Sequence, residues 1–229
     1  MANVIEVNAN TWRIEDGGVR FFLLAGTEKA ILIDTGMNAP DARDIAESLT
    51  TLPVSLINTH ADPDHISGNG KFSEMYMHKD EADNYSAHGG QGSIIPVQDG
   101  EVIELGDRPL KIIALPGHTP GSICILDINA RVLYSGDSVQ NSNIFMFGSR
   151  RNLSKYIESM KMLSKREADY DTIYPSHGTL PLKPDVIPEL LAAANSIAAG
   201  TTTGKQVEVF GMPVMLYTFD CAGFLCDMK

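Results

Sequence analysis

Short apolar-rich runs broken by turns dominate the first 35 positions. VIEVN (4–8), TWRIED (11–16), VRFFLLAG (19–26) and KAILIDT (29–35) are separated by Asn, Asp-Gly-Gly and Gly-Thr-Glu turns, a pattern that predicts strands. The period then changes. APDARDIAESLT (39–50) places Ile45, Ala46 and Leu49 at helical spacing. VSLIN (54–58) predicts a buried strand, and GKFSEMYMHKDEADNYSAH (70–88) a short strand near 74–77 followed by a helix near 79–87. GGQGSIIPV (89–97) is expected to be a glycine-containing loop. EVIEL, PLKIIAL, SICILDI and RVLYS predict strands between 101 and 135. Residues 152–168 carry Leu153, Tyr156, Ile157, Met160 and Leu163 on one helical face. DTIYP (171–175) is a strand, and PDVIPELLAAANSIAA (184–199) is a helix that Gly200 is placed to end. VEVF, PVMLYTF and AGFLCD finish the chain as strands. No repeat and no linker-like stretch divides it, so one domain over 1–229 is expected, with sheets packed together and helices outside.

Composition narrows the function. Lys plus Arg is 18 and Asp plus Glu is 29, a formal net charge of −11. That balance excludes a non-specific nucleic-acid binder and a polybasic membrane-surface protein, both of which depend on Lys and Arg. No apolar stretch approaches the roughly 18–20 residues of a membrane span. The N-terminus lacks a basic region followed by an apolar one, so no signal peptide is expected. Three cysteines make no disulfide framework and suit the cytoplasm. Cys124 is expected to be a small buried hydrophobe, and Cys221 and Cys226 (CAGFLC) core-facing thiols in a strand. GTTTGK (200–205) is one residue short of a phosphate loop, GGQGSI does not complete a dinucleotide fingerprint, and no Gly-x-Ser-x-Gly elbow occurs.

Chemistry concentrates at strand ends. His60 follows VSLIN, His118 follows PLKIIAL, Asp137 follows RVLYS and His177 follows DTIYP. Strand ends that feed loops are where functional groups converge on one rim. The densest segment is His60-Ala61-Asp62-Pro63-Asp64-His65. Alternate residues of an extended turn project to one side, so His60, Asp62 and Asp64 can face one point. Imidazole with carboxylate is a ligand set for Zn, Fe or Mn. Singly, each residue has a plainer role. Asp64 can cap a helix starting near Ile66, and Asp137, His118 and His177 can be turn residues. Jointly, the plain roles would have to imitate a ligand set at four strand ends. His78 and His88 lack this context: the first suits a surface or helix-start position, the second a loop that can border a cleft.

These motifs resemble the metallo-β-lactamase-fold superfamily, whose His-x-His-x-Asp-His signature precedes a distant His, Asp and His. Here the series is THADPDH, GHTPGS, SGDS and PSHG, in the family order, and LIDTG (32–36) resembles the strand-turn ahead of the first helix. The resemblance implies an α+β four-layer αββα sandwich: two mixed sheets face to face, helices outside, and a dinuclear metal site on one edge. It implies His60 and His118 around one divalent ion, Asp64, His65 and His177 around a second, and Asp137 bridging them, with Asp62 a further candidate ligand. Asp62 stands where the signature has His. The di-iron flavodiiron proteins resemble this site with a carboxylate there, and in them the position of His65 is not a ligand. A hard anionic ligand shifts preference from Zn towards Fe or Mn. Three carboxylates and a hydroxide against two divalent ions sum to zero, where a His at 62 would leave one positive charge.

The resemblance implies a metal-dependent hydrolase. A metal-activated hydroxide would attack an ester, thioester, lactone or phosphoester of a small molecule, with Asp64 orienting the nucleophile. A dedicated β-lactamase, a usual glyoxalase II and an RNA-processing nuclease fit less well. They call for an export signal and the missing His, a helical region after the last ligand, and an inserted domain with a basic surface. Two alternatives stand: an iron-dependent oxidoreductase of the flavodiiron or persulfide type, and a degenerate, non-catalytic metal-binding protein. QNSNIFMFGSRRN (140–152) is expected to border the site. Phe145, Met146 and Phe147 are either an apolar wall or loop packing, and Arg150 and Arg151 either hold an anion or decorate the next helix.

Overall fold

β-Branched and aromatic residues in the first third build a seven-stranded sheet whose order follows the chain. In the computed structural model, which describes residues 2–228, its strands are β1 (Asn3–Asn8), β2 (Thr11–Asp16), β3 (Val19–Ala25), β4 (Ala30–Ile33), β5 (Val54–Ile57), β6 (Glu74–His78) and β7 (Ser93–Val97). β1 to β4 pair antiparallel through tight turns. β4 to β7 pair parallel, so each connection there is a crossover long enough to hold a helix. Those crossovers carry α1 (Ala42–Leu49), α2 (Pro63–Ile66) and α3 (Ala82–Ala87). Phe21, Leu23, Leu32, Leu56, Met75 and Met77 are buried in one core, each contributing about 1.5–3 kcal/mol of burial.

The chain divides into two compact units, 1–113 with 125–130, and 114–124 with 131–229. The first also holds the hairpin β8 (Val102–Glu104) with β9 (Pro109–Ala114), and β10 (Ile123–Asp127) contributes residues to both units. In the second, β11 (Val132–Gly136) pairs parallel with β13 (Thr172–Pro175). A four-stranded sheet there has the order β12 (Asn143–Met146), β16 (Gly223–Cys226), β15 (Met212–Thr218), β14 (Lys205–Val209). α4 (Leu153–Leu163) and α5 (Val186–Ala198) belong to the same unit. Asn152 caps α4, its side chain accepting from Lys155 N at 2.9 Å. Gly200, at φ +68°, follows the C-terminus of α5 as expected.

Several expectations need correction. Residues 93–97 form β7 rather than a loop: Ile94 and Ile95 pair with β6, and Pro96 is tolerated because β7 is the sheet's edge. Residues 143–146 form β12, because β16, some 80 residues later, supplies their hydrogen bonds. The helix of 152–168 ends at Leu163 and continues as a tighter 3-10 segment, Ser164–Asp169. The helix of 79–87 begins as a 3-10 turn, Lys79–Glu81. Cys221 lies in a bend before β16, and only Cys226 is on the strand, half-buried. Cys124 is buried as expected, and burial pushes its thiol pKa well up, which leaves it a packing group.

One buried ion pair ties the first unit's turns together. Arg108 donates to Asp127 Oδ2 at 2.7 Å, to the carbonyls of Asn10 and Ala25, and to Thr11 Oγ1. The Asp127 side chain is 1% exposed. Arg108→Ala is expected to lower unfolding free energy by about 3–5 kcal/mol, because the buried carboxylate keeps its desolvation cost and loses its cation. Urea unfolding of the variant measures this; a loss under 1 kcal/mol contradicts it.

Candidate metal centre

The ends of β4 and β5 lie side by side, with Ile33 opposite Ile57, so Asp34 and Asn58 emerge together. Asp34 is 1% exposed and holds φ +64°, a left-handed conformation that costs a non-glycine residue about 1–2 kcal/mol. Its carboxylate offsets this with bonds in several directions. Thr59 N donates to Oδ1 at 2.8 Å and the Thr59 hydroxyl to Oδ2 at 2.7 Å. His65 Nδ1 lies 2.8 Å from Oδ2. An ionised carboxylate only accepts, so His65 Nδ1 carries the proton and Nε2 the lone pair. Thr59 commits its proton to Asp34, so its oxygen accepts from His60 Nδ1 at 3.0 Å. His60 Nε2 therefore also holds a lone pair. Asp34 thus sets the tautomer of two imidazoles, one directly and one through Thr59.

The turn between them carries the acids. Asp62 is the N-cap residue of α2 and Pro63 its first position, so Asp64 sits in the first turn and is not the cap that the sequence suggested. Asp62 Oδ2 lies 3.6 Å from His60 Nε2, and Asp64 Oδ2 lies 3.7 Å from His65 Nε2. His78 accepts from Asp80 N at the 3-10 turn, matching its expected helix-start role. His88 ends α3, with Nδ1 3.1 Å from the Ala61 carbonyl.

The second unit holds the other three residues. β11 and β13 are parallel neighbours, and Ser176 N donates to the Gly136 carbonyl at 3.1 Å, so Asp137 and His177 leave adjacent strand ends. Asp137 Oδ2 lies 3.7 Å from His118 Nε2, and its Oδ1 lies 3.4 Å from His177 Nε2. His118 Nδ1 faces the Phe145 carbonyl at 3.1 Å, which again places the ring proton on Nδ1. Gly117, at φ +146°, packs so closely on α4 that a Cβ would strike the Tyr156 backbone, and Asn152 N donates to its carbonyl at 2.8 Å. The α4 N-terminus thereby fixes the loop that carries His118.

Of the seven expected ligand residues, His60 follows β5, Asp62, Asp64 and His65 lie at or within α2, and His118, Asp137 and His177 follow β9, β11 and β13; four belong to the first unit and three to the second. Their chemistry fits borderline divalent ions. The imidazoles of His60, His65 and His118 are buried, with Nδ1 fixed by an acceptor, and carboxylate oxygens lie near each Nε2. The sequence did not point to Asp34, Thr59, Glu81 or Asn84. LIDTG flagged the turn, but only the fold shows that its Asp serves two histidines.

Beside His118, Phe145 packs against Phe147 at 5.5 Å and edge-on against Phe210 at 6.0 Å between ring centres. Phe210 is 80% exposed and sits at φ +52° in the Phe210-Gly211 turn joining β14 to β15. Arg150 and Arg151 are half-buried just ahead of α4.

Comparisons with known proteins identify the family and the fold. The sequence model described as "Metallo-beta-lactamase superfamily" matches residues 14–177. The chain belongs to the metallo-β-lactamase superfamily. It is similar to an acyl-coenzyme A thioesterase, MBLAC2, of Gallus gallus, 28% identical over 180 residues, 62% of this chain and 65% of that one. It is also similar to a hydroxyacylglutathione hydrolase of Francisella tularensis, 28% identical over 160 residues, 68% of this chain and 61% of that one. The chain thus spans less than two thirds of the length of these curated relatives. A metallo-beta-lactamase from Pontibacter korlensis superposes with TM-score 0.72 at 16% identity, covering 85% of this chain and 99% of the other. The fold is that of the metallo-β-lactamases, α+β with mixed sheets. Among the described residues no helix is long and apolar enough to cross a membrane.

Asp34→Asn keeps shape but removes the charge that stabilises Nδ1-protonated His65 and the Thr59 relay. Metal affinity is expected to fall roughly 10–100-fold in a competition titration with a chromophoric chelator. Unchanged affinity contradicts the tautomer argument.

Proposed function

We propose that the chain hydrolyses a small-molecule acyl thioester at a dinuclear metal site. In this reading His60, Asp62 and His118 hold one ion, Asp64, His65 and His177 hold the other, and Asp137 bridges them. The observation that carries it is the Asp137 carboxylate, which turns one oxygen to His118 and the other to His177. A group serving a single ion has no need to present its two oxygens to two imidazoles. Bound divalent ions supply Lewis acidity towards a water and a carbonyl oxygen. Asp64, a quarter exposed, orients the attacking water by accepting its hydrogen bond. His60, His65 and His118 keep Nδ1 protonated throughout, so none of them is the base.

Thioesters are favoured over lactones, oxygen esters and phosphoesters for two reasons. The relatives are named for acyl-coenzyme A and hydroxyacylglutathione, both acyl groups on thiol carriers. Phe145, Phe147 and Phe210 also offer an aromatic platform reached through the Phe145 carbonyl that bonds His118. An exposed Phe in a left-handed turn is a cost that contact with an acyl chain offsets. Arg150 and Arg151 are the cations nearest in sequence to this platform for an anionic carrier. The whole of 1–229 acts as one catalytic domain in this reading. Three cysteines present as thiols suit the cytoplasm.

A second reading, an iron-dependent oxidoreductase, is favoured only by the carboxylate at Asp62. Elemental analysis of protein purified anaerobically separates the two. The hydrolase reading expects two metal equivalents per chain and thiol release from acyl-coenzyme A substrates that chelation abolishes and metal restores. Oxygen or nitric oxide consumption without thiol release favours the oxidoreductase. Phe210→Ala is expected to raise KM for long-chain acyl thioesters about tenfold, with short-chain KM and kcat retained. An equal effect at all chain lengths contradicts the platform.

A further inference from the structure

We propose that Glu81, Asn84 and His88 form a clamp that positions Asp62 as a ligand, with Asn84 the positioning residue at its centre. This rests on the metal-site reading above and explains how the chain manages the position where Asp replaces the signature His. A carboxylate carries two equivalent oxygens on a soft torsion, so presenting one of them reproducibly requires that the other be held. Asn84 Nδ2 donates to Asp62 Oδ1 at 3.1 Å, while Oδ2 is the oxygen turned towards His60 Nε2.

The same nitrogen donates to Glu81 Oε2 at 3.2 Å. Asn84 therefore spends both amide hydrogens on two carboxylates. Turning the amide over would set its oxygen against both acids, so electrostatics fixes its orientation. The cost is visible: Asn84 Oδ1 is buried without a hydrogen-bond partner. An orphaned buried carbonyl calls for an explanation, and the need for that nitrogen between two acids supplies one.

The clamp also holds the backbone. Glu81, fully buried, accepts from Ala61 N at 2.9 Å through the same Oε2. His88 Nδ1 faces the Ala61 carbonyl. Both backbone groups of the residue between His60 and Asp62 are thus bound by one segment. Positions 81, 84 and 88 recur at the spacing of one helical face. Tyr85 anchors that segment to the core, buried and donating to the Gln91 carbonyl at 2.6 Å.

The test is a metal titration of the full chain with Zn2+ and with Mn2+, alongside cobalt(II) absorption spectra and thermal unfolding of the metal-free protein. Asn84→Ala is compared with isosteric Asn84→Leu, each in the wild-type and Asp62→Ala backgrounds. One of the two ions is expected to bind roughly 10–100-fold more weakly in either variant, with the other unchanged. The cobalt spectrum should move towards that of Asp62→Ala, and metal-free melting should stay near wild type in at least one variant. In the Asp62→Ala background the Asn84 substitutions should change affinity by less than about twofold, since coupled residues do not add. Wild-type affinity and spectrum in Asn84→Leu overturn the clamp while leaving the metal site standing. So does an equal loss in both backgrounds, which marks a merely structural role. A wild-type protein that takes up no metal overturns the site reading and the clamp with it.

Discussion

The buried carboxylate of Asp34 is the constraint on which the first unit's chemistry depends. A charge with 1% exposure is tolerated only when hydrogen bonds surround it. Those bonds come from Thr59 at the end of β5 and from His65 on α2, with Asn58 Nδ2 at 3.5 Å. β4, β5 and α2 must therefore be in register before Asp34 is satisfied. The satisfied state is also the one in which His60 and His65 hold their lone pairs on Nε2. Folding energetics and ligand preparation are the same set of bonds.

The second unit reaches a similar end by other means. Parallel pairing of β11 with β13 brings Asp137 and His177 to neighbouring strand ends, and close packing of Gly117 on α4 fixes His118. A backbone carbonyl, that of Phe145, replaces the Asp34 carboxylate as the acceptor for Nδ1. A neutral acceptor makes the imidazole a weaker base than a carboxylate does, so the three buried histidines are graded in donor strength by their partners.

Asp62 gives this site its individual character. With three carboxylates the proposed dinuclear core is neutral once a hydroxide is present, which weakens attraction for anions and favours harder ions than zinc. The chain places a fully buried acid, Glu81, close to the partly buried Asp62 and separates the two with one amide. An arrangement of that cost makes physical sense when Asp62 has to point one way.

The sequence alone singled out the seven candidate ligands and most of the first sheet. His60, His118, Asp137 and His177 are local in character: each follows an apolar run, with Asp62, Asp64 and His65 close behind His60, and strand ends can be read from period and turn residues. β7 and β12 were illegible because their hydrogen bonds come from distant strands and their flanking Gly, Pro and Asn read as loop. Tertiary structure alone decided what holds these side chains in place. Asp34 is 25 and 31 residues from Thr59 and His65, and Asn84 is 22 from Asp62, with no periodicity linking them. Such partners share no local pattern because a hydrogen bond depends on where a side chain finishes in space. Sequence spacing sets that only within a single element.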